Sequence, residues 1–333
     1  MSTVPVIDLG RFLHGDRHDR QDVAHETDAV CRDIGFLCIT GHGVPEQVNT
    51  AIYDSAKTFF RQPTAEKLKV RQPGPEVIRG YIGMGHAALA VTRGEKTPPD
   101  LKETFSIGPE RKAAMAENTP ESGEIDQFAQ NIWPEQQNDF RVTWLAYYDA
   151  MTKLSADMMR LFAAALDLEE DHFAPSIDRH ISILSAMFYP DQADPPEPGQ
   201  LRAGAHTDFG TMTILKPDAA PGGLQVQTKS GDWAAVKAPP GSYILNIGDL
   251  MARWTNDRWV STLHRVVNPP LDVHLGAERL SIGFFHQPNY DARIACLPSC
   301  LDANGRAKYP EVTAGGYLQR QFSSQVVNAA SSK

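Results

Sequence analysis

The stretch Gly204-Ala205-His206-Thr207-Asp208-Phe209-Gly210 sets an imidazole and a carboxylate two residues apart, with a glycine close on each side. Residues i and i+2 of a β-strand face the same way, so His206 and Asp208 can share one ion. Thr211, Thr213 and Ile214 follow, all good strand formers. The spacing alone carries little weight, because His14-Gly15-Asp16 repeats it. That second copy lies in the charged stretch from Arg11 to Arg20 without a strand signal, and is assigned to solvent. A third ligand must come from elsewhere in the chain. His264 is the candidate, since it sits in a β-type run from Val260 to Val267. His42, between two glycines, reads as a turn residue; His274 and His286 lack comparable context.

The region around this stretch has a β rhythm throughout. Ile181 to Tyr189 reads as one strand, ended by Pro190, and another begins near His206 and runs through Ile214-Leu215. Gly222 to Gln227 alternates strictly, and Ser230-Gly231-Asp232 is a turn before Trp233 to Val236. Ser242 to Ile247, Val260 to Val267 and Leu280 to Phe285 complete the set. Seven or eight short strands separated by Pro/Gly turns predict a sandwich or jelly roll.

Upstream, Val4 to Leu9 reads as a short strand, Asp19 to Arg32 as a helix and Gly35 to Thr40 as a compact apolar strand. Gly41-His42-Gly43-Val44-Pro45 then opens a helix reaching about Phe60, with Pro45 at its start. Residues 72 to 130 are broken repeatedly by Gly and Pro, with a strand starting in Asp100 to Phe105. Such a long irregular segment suits binding loops. From Pro134 to about Leu168, Trp144, Tyr148, Met151, Ser155, Met158, Phe162 and Ala165 form one helical stripe. That helix is expected to be a scaffold against the outside of a sheet.

Composition narrows the classes of function. The 333 residues carry a formal net charge of −9, which argues against a nucleic-acid partner and against docking on anionic membranes. The four cysteines, Cys31, Cys38, Cys296 and Cys300, form neither a zinc spacing nor a disulfide scaffold, so a reducing cytoplasm is expected. No secretory signal and no apolar run of membrane-spanning length is seen. A small-molecule substrate fits this background best.

A second signal bears on the ion. On the strand Glu278 to Phe285, the residues Arg279, Ser281 and Phe285 share a face. A guanidinium turned into a barrel requires a partner, and a carboxylate bound in bidentate fashion is the natural one. An internal Arg–Asp pair would satisfy it, and so would a cosubstrate with a distal carboxylate, with Ser281 adding a hydrogen bond. Two His and one carboxylate on one face of an ion leave positions open, the arrangement of non-haem Fe(II) oxygenases, although the donor set also admits Zn.

Taken in order, Val4 to Leu9, Gly35-Phe36-Leu37, Gly41 to Pro45, Asp100-Leu101-Lys102-Glu103, Gly204 to Asp208, Asn246-Ile247-Gly248-Asp249, His264-Arg265-Val266 and Arg279-Leu280-Ser281 span nearly the whole chain. This succession resembles the Fe(II)/2-oxoglutarate-dependent dioxygenases of the isopenicillin N synthase-like group. That group includes plant flavonoid and gibberellin oxidases and the bacterial ethylene-forming enzyme. The resemblance implies an α+β chain with a mainly β core, a double-stranded β-helix (jelly roll) flanked by N-terminal and central helices. Residues 1–130 would form the N-terminal region typical of the group. Residues 131–333 would form the scaffold helix and oxygenase core, the whole being one catalytic unit.

The resemblance further implies that His206, Asp208 and His264 hold Fe(II), and that Arg279 and Ser281 hold the C5 carboxylate of 2-oxoglutarate. Tyr189 matches a tyrosine that touches the same cosubstrate, although Met187 stands where many plant members have Asn. The implied reaction consumes O₂ and 2-oxoglutarate, releases succinate and CO₂, and hydroxylates, desaturates or cyclises a small molecule of secondary metabolism. Phe285, Phe209 and Tyr81 are candidates to touch that substrate. Alternatives are an ethylene-forming or 2-oxoglutarate-independent Fe(II) oxidase, a zinc cupin-type enzyme and a non-catalytic binding module.

Overall fold

A computed structural model describes residues 4–85, 89, 97–110, 125–135, 139–192, 195–273 and 276–330. The N-terminal part runs β1 (Val6–Asp8), α1 (Leu9–His14), α2 (Arg17–Asp33), β2 (Phe36–Thr40), α3 (Glu46–Phe60) and the short α4 (Thr64–Lys67). Asp8 and Asp16 cap α1 and α2 by accepting hydrogen bonds from the first-turn N–H groups. The second His-x-Asp is therefore a capping segment, with His14 and Asp16 both exposed. The sequence did not announce α1, because six residues are too few for a periodic signal.

Next come β3 (Gly80–Ile82), β4 (Glu103–Ile107) and the long α5 (Phe140–Ala165). Helix α5 starts after Asp139 rather than at Pro134, and the expected stripe faces inward: Trp144, Met151, Met158 and Phe162 are fully buried. After the short α6 (Ala174–Ile177) follow β5 (Ile183–Tyr189), β6 (Ala203–His206), β7 (Met212–Lys216), β8 (Gly223–Gln227), β9 (Trp233–Ala235) and β10 (Tyr243–Ile247). The chain continues through α7 (Asp249–Trp254), β11 (His264–Val267), β12 (Arg279–His286), the minor pair β13 (Arg293–Ile294) and β14 (Val312–Thr313), and α8 (Ala314–Ala330). Among the described residues, no helix is long and apolar enough to cross a membrane.

The strands form two sheets. One has eight strands in the order β1-β2-β10-β7-β12-β5-β4-β3, the other four in the order β6-β11-β8-β9. This is the expected jelly roll, with helices α2, α3 and α5 packed together on one side. Four of the eight strands in the larger sheet come from the first 130 residues.

Two expectations require correction. The stretch from His206 to Leu215 is not one strand: β6 ends at His206 and pairs with β11 in the small sheet, whereas β7 pairs with β10 and β12 in the large one. Residues Thr207 to Thr211 carry the chain from one sheet to the other, and Asp208 lies in that crossing. Gly210 permits the crossing, since a Cβ there would stand 2.3 Å from the His286 carbonyl oxygen. The run from Val260 is likewise extended but enters a ladder only at His264, where pairing with both β6 and β8 begins.

Candidate active site

The sheet crossing builds the centre of the site. His206 and His264 are cross-strand partners in the antiparallel pair of β6 and β11, so both imidazoles project from one spot of the small sheet. Each ring is fixed through its Nδ1, that of His206 lying 2.7 Å from the Gly204 carbonyl and that of His264 3.0 Å from the Thr262 carbonyl. Donation of Nδ1–H to a carbonyl leaves the Nε2 lone pair free to meet an ion. The two Nε2 atoms each lie 3.8 Å from a carboxylate oxygen of Asp208. One donor atom from each residue falls within 4.8 Å of the others; among the described residues, no other group of three such side chains does so.

The carboxylate is held from behind. Thr213 Oγ donates to Asp208 Oδ2 at 2.5 Å and Asn246 Nδ2 donates to the same oxygen at 2.8 Å. The Asp249 N–H donates to the Asp208 carbonyl at 2.8 Å, tying the crossing to the start of α7. Burial works against the Asp208 charge, but the two imidazoles and these hydrogen bonds hold its carboxyl below the usual carboxylate range. Burial, with the neighbouring His264, pulls His206 down to about 4, so its ring is neutral near pH 7. Two neutral imidazoles and one ionised carboxylate are the donor set a divalent first-row metal takes.

These residues open on a cavity of about 240 Å³ that reaches Arg279, Ser281 and Tyr189. Arg279 pairs in register with Tyr189 across β12 and β5, and Ser281 pairs with Met187. Arg279 is 5 % exposed; its Nη1 donates to the Ala220 carbonyl at 3.1 Å, and its Nε has no partner. Among the described residues it forms no ion pair. The nearby Asp218 instead accepts from the Leu280 N–H and the Tyr53 hydroxyl. Burial pushes the Arg279 guanidinium down from the ordinary arginine range, with Tyr189 and Asp218 opposing. Gly223, at φ +121°, leaves it room, since a Cβ there would come within 3.0 Å of Nη1. The internal Arg–Asp pair is thus not what occupies this guanidinium, and a cosubstrate carboxylate fits the place.

Phe285 and Phe209 both line the cavity. Tyr81 does not. On β3 and β4, Tyr81 pairs with Phe105 and Ile82 with Thr104; strand alternation sends the first pair into the core and the second toward the cavity. Tyr81 packs on Phe59 and donates its hydroxyl to Glu103 at 2.8 Å, so Ile78 and Ile82 form that wall. His286 is buried with its Nδ1 2.6 Å from Thr211 Oγ, away from the ligand group. His42 serves its turn, Nδ1 accepting from the Val44 N–H at 3.1 Å. His274 lies outside the described residues.

Sequence reasoning missed two contributors to this wall, Gln287 and Phe322. Phe322 comes from α8, whose only signal was Leu318 and Phe322 at a four-residue interval. Gln287 continues the face of Arg279, Ser281 and Phe285 by one further step of two.

Comparison with known proteins agrees with this geometry. A family model described as the 2OG-Fe(II) oxygenase superfamily matches residues 180–288, and one described as non-haem dioxygenase in morphine synthesis N-terminal matches residues 4–136. A 2-oxoglutarate-Fe(II) type oxidoreductase of Emericella nidulans, hxnY, is 34 % identical over 324 residues, covering 95 % of this chain and 89 % of that protein. The chain belongs to the 2-oxoglutarate–Fe(II) oxygenase superfamily. Within that superfamily, a proline hydroxylase of Petromyces alliaceus, buaE, is 34 % identical over 309 residues, covering 90 % of this chain and 92 % of that one. A Neurospora crassa oxygenase crystallised with alpha-KG and thymine superposes with a TM-score of 0.84 at 29 % identity, covering 96 % of each chain. The protein is an Fe(II)- and 2-oxoglutarate-dependent dioxygenase.

Proposed function

We propose that His206, Asp208 and His264 hold the Fe(II) of this oxygenase. We further propose that Arg279, Ser281 and Tyr189 seat its 2-oxoglutarate, and that Phe285 and Phe209 contact the substrate. The observation that carries the reading is Arg279, a buried guanidinium without an ion-pair partner that lines the same cavity as the three-ligand group. When bound, iron and 2-oxoglutarate supply the oxidising chemistry, in which O₂ is consumed, the cosubstrate leaves as succinate and CO₂, and a C–H group is oxidised.

The chain contributes positioning, charge and exclusion of water. The Gly204 and Thr262 carbonyls keep both imidazole Nε2 atoms turned inward, while Thr213 and Asn246 orient the Asp208 carboxylate. Arg279 offers its unpaired Nε–H to the distal carboxylate, and the Ser281 hydroxyl adds a donor on the same face of β12. Apolar side chains such as Ile183, Leu215 and Phe285 complete the wall and displace water.

The substrate is a small-molecule metabolite, acted on in the cytoplasm by residues 1–130 and 131–333 working as one catalytic unit. A cavity below the roughly 300–1,000 Å³ of drug-sized pockets supports a small substrate, as do relatives named for proline and crystallised with thymine. The test is a screen of small metabolites for 2-oxoglutarate-dependent succinate formation, with mass spectrometry of products. Succinate released in step with an oxidised product supports the reading. Turnover that persists in Asp208→Ala refutes the assignment of ligands.

A further inference from the structure

The cavity wall contains a second buried polar group without a partner. Gln287 is 4 % exposed, and its Oε1 is buried with no hydrogen bond. Among the described residues its Nε2 makes none either, so both ends of the primary amide are unengaged. Its backbone, in contrast, is fixed: the Gln287 N–H donates to Ser182 Oγ at 3.0 Å and the Pro288 carbonyl accepts from the Ile181 N–H at 3.3 Å. The side chain lies over Gly210, where an added Cβ would come within 3.0 Å of both Oε1 and Nε2. Gly210 follows Asp208 by two residues, so this idle amide sits against the loop that carries the carboxylate of the three-ligand group.

A buried amide with neither end engaged costs on the order of 1–3 kcal/mol for each unsatisfied group, unless a ligand engages it. The neighbouring groups define what that ligand can be. Of the described side chains lining the cavity, the charged ones apart from His206, Asp208, His264 and Arg279 reduce to Lys102, which is paired with Asp100 at 3.1 Å. The remaining polar neighbours, Ser106 and Ser185, bond to each other at 2.7 Å. An ionic group beside Gln287 would therefore be buried without a counter-charge. The flanking surface is aromatic, with Phe209, Phe285 and Phe322 lining the same cavity and the Phe209 and Phe322 rings 5.6 Å apart, edge to face.

We propose that Gln287 is a specificity-determining residue that reads a neutral cis-amide edge, an adjacent C=O and N–H, on a small ring held among these phenylalanines. A side-chain amide presents one donor and one acceptor side by side, and a cis-amide is the group that satisfies both at once. Lactams, cyclic imides and pyrimidinone-type rings share this edge; open-chain secondary amides, which are trans, do not present it. The proposal rests on the reading of the cavity as the oxygenase site and names the class of substrate taken there.

The test uses calorimetric titration of the full chain, loaded anaerobically with Fe(II) and 2-oxoglutarate. The probes are 2-piperidone, glutarimide and dihydrouracil, together with N-methyl-2-piperidone and N-methylglutarimide. We expect at least one N–H probe to bind with its N-methyl counterpart weakened roughly ten-fold or more, the effect of leaving a buried partner unpaired. Gln287→Leu should erase that preference while leaving the 2-oxoglutarate affinity unchanged, and Gln287→Asn should restore part of it. Equal binding of N–H and N-methyl probes, equal loss of both in Gln287→Leu, or no binding by any probe to a protein that does bind 2-oxoglutarate would each overturn the proposal. Failure of the wild-type chain to bind 2-oxoglutarate would overturn the oxygenase reading beneath it, which is a separate outcome.

Discussion

Replacing Arg279 by Met separates the two energies that meet at this residue. In the unloaded protein the guanidinium is 5 % exposed, has one hydrogen bond to the Ala220 carbonyl and leaves Nε unpartnered. Removing a buried charge that lacks a counter-ion in favour of an apolar side chain of similar volume is neutral or stabilising by about 1–4 kcal/mol. In the loaded protein the same guanidinium faces the distal carboxylate, and removing one member of a buried ion pair costs about 3–5 kcal/mol. At about 1.4 kcal/mol per decade, that is a loss of roughly two to three and a half orders of magnitude in 2-oxoglutarate affinity. The assay pairs calorimetric titration of 2-oxoglutarate, under nitrogen with Mn(II) in place of iron, with urea unfolding in the absence of ligand. Arg279→Met should unfold at the same or higher urea and bind 2-oxoglutarate at least a hundred-fold more weakly. An affinity within a few-fold of wild type would refute the anchor, and a large drop in unliganded stability would show the arginine to be structural.

Other outcomes follow from the same contacts. Asn246→Leu removes a donor to Asp208 Oδ2, 2.8 Å away, and should weaken metal binding about 10–100-fold without abolishing the fold, measured by competition with a chelator. Phe285→Ala should raise the substrate KM with little change in the 2-oxoglutarate KM, since Phe285 lies two steps along β12 beyond Ser281. Stability should fall in mild acid. Burial lowers His180 to about 4 and, with His180 beside it, lowers His286 well below its ordinary value. Unfolded imidazoles titrate near 6.5, so between the folded and unfolded values the unfolded chain binds more protons. The stabilisation is complete above pH 6.5 and declines below it by about 1.4 kcal/mol per pH unit for each group. Urea midpoints between pH 7.5 and 5 should show this slope, and His180→Gln should flatten it.

Much of this site was legible in the sequence because its residues obey strand parity. Arg279, Ser281 and Phe285 share a face of β12, and His264 pairs with His206 because each lies on a regular strand of one small sheet. The Asp208 position was reached by a partly mistaken route: the carboxylate is not on the strand with His206 but in the crossing to the other sheet, and it meets the imidazoles because the chain turns there. Alternation could not reveal that turn, since Thr211, Thr213 and Ile214 read as one uninterrupted strand with the residues before them. Tyr81 was misplaced for the opposite reason. A three-residue strand in a glycine-rich segment offers no pattern from which to tell its two faces apart. The wall contributed by Phe322 depends on a distant helix meeting Phe209, a contact between residues more than a hundred positions apart that no local periodicity encodes.

The most direct test of the account is the visible absorption of the protein under anaerobic conditions as Fe(II) and 2-oxoglutarate are added in turn. A weak metal-to-ligand charge-transfer band should arise only when both are present. It should be lost in His206→Ala and Asp208→Ala, and in Arg279→Gln it should return only at far higher 2-oxoglutarate. No band in the wild-type protein, or an undiminished band in Asp208→Ala, would contradict the assignment of His206, Asp208 and His264 as the iron site.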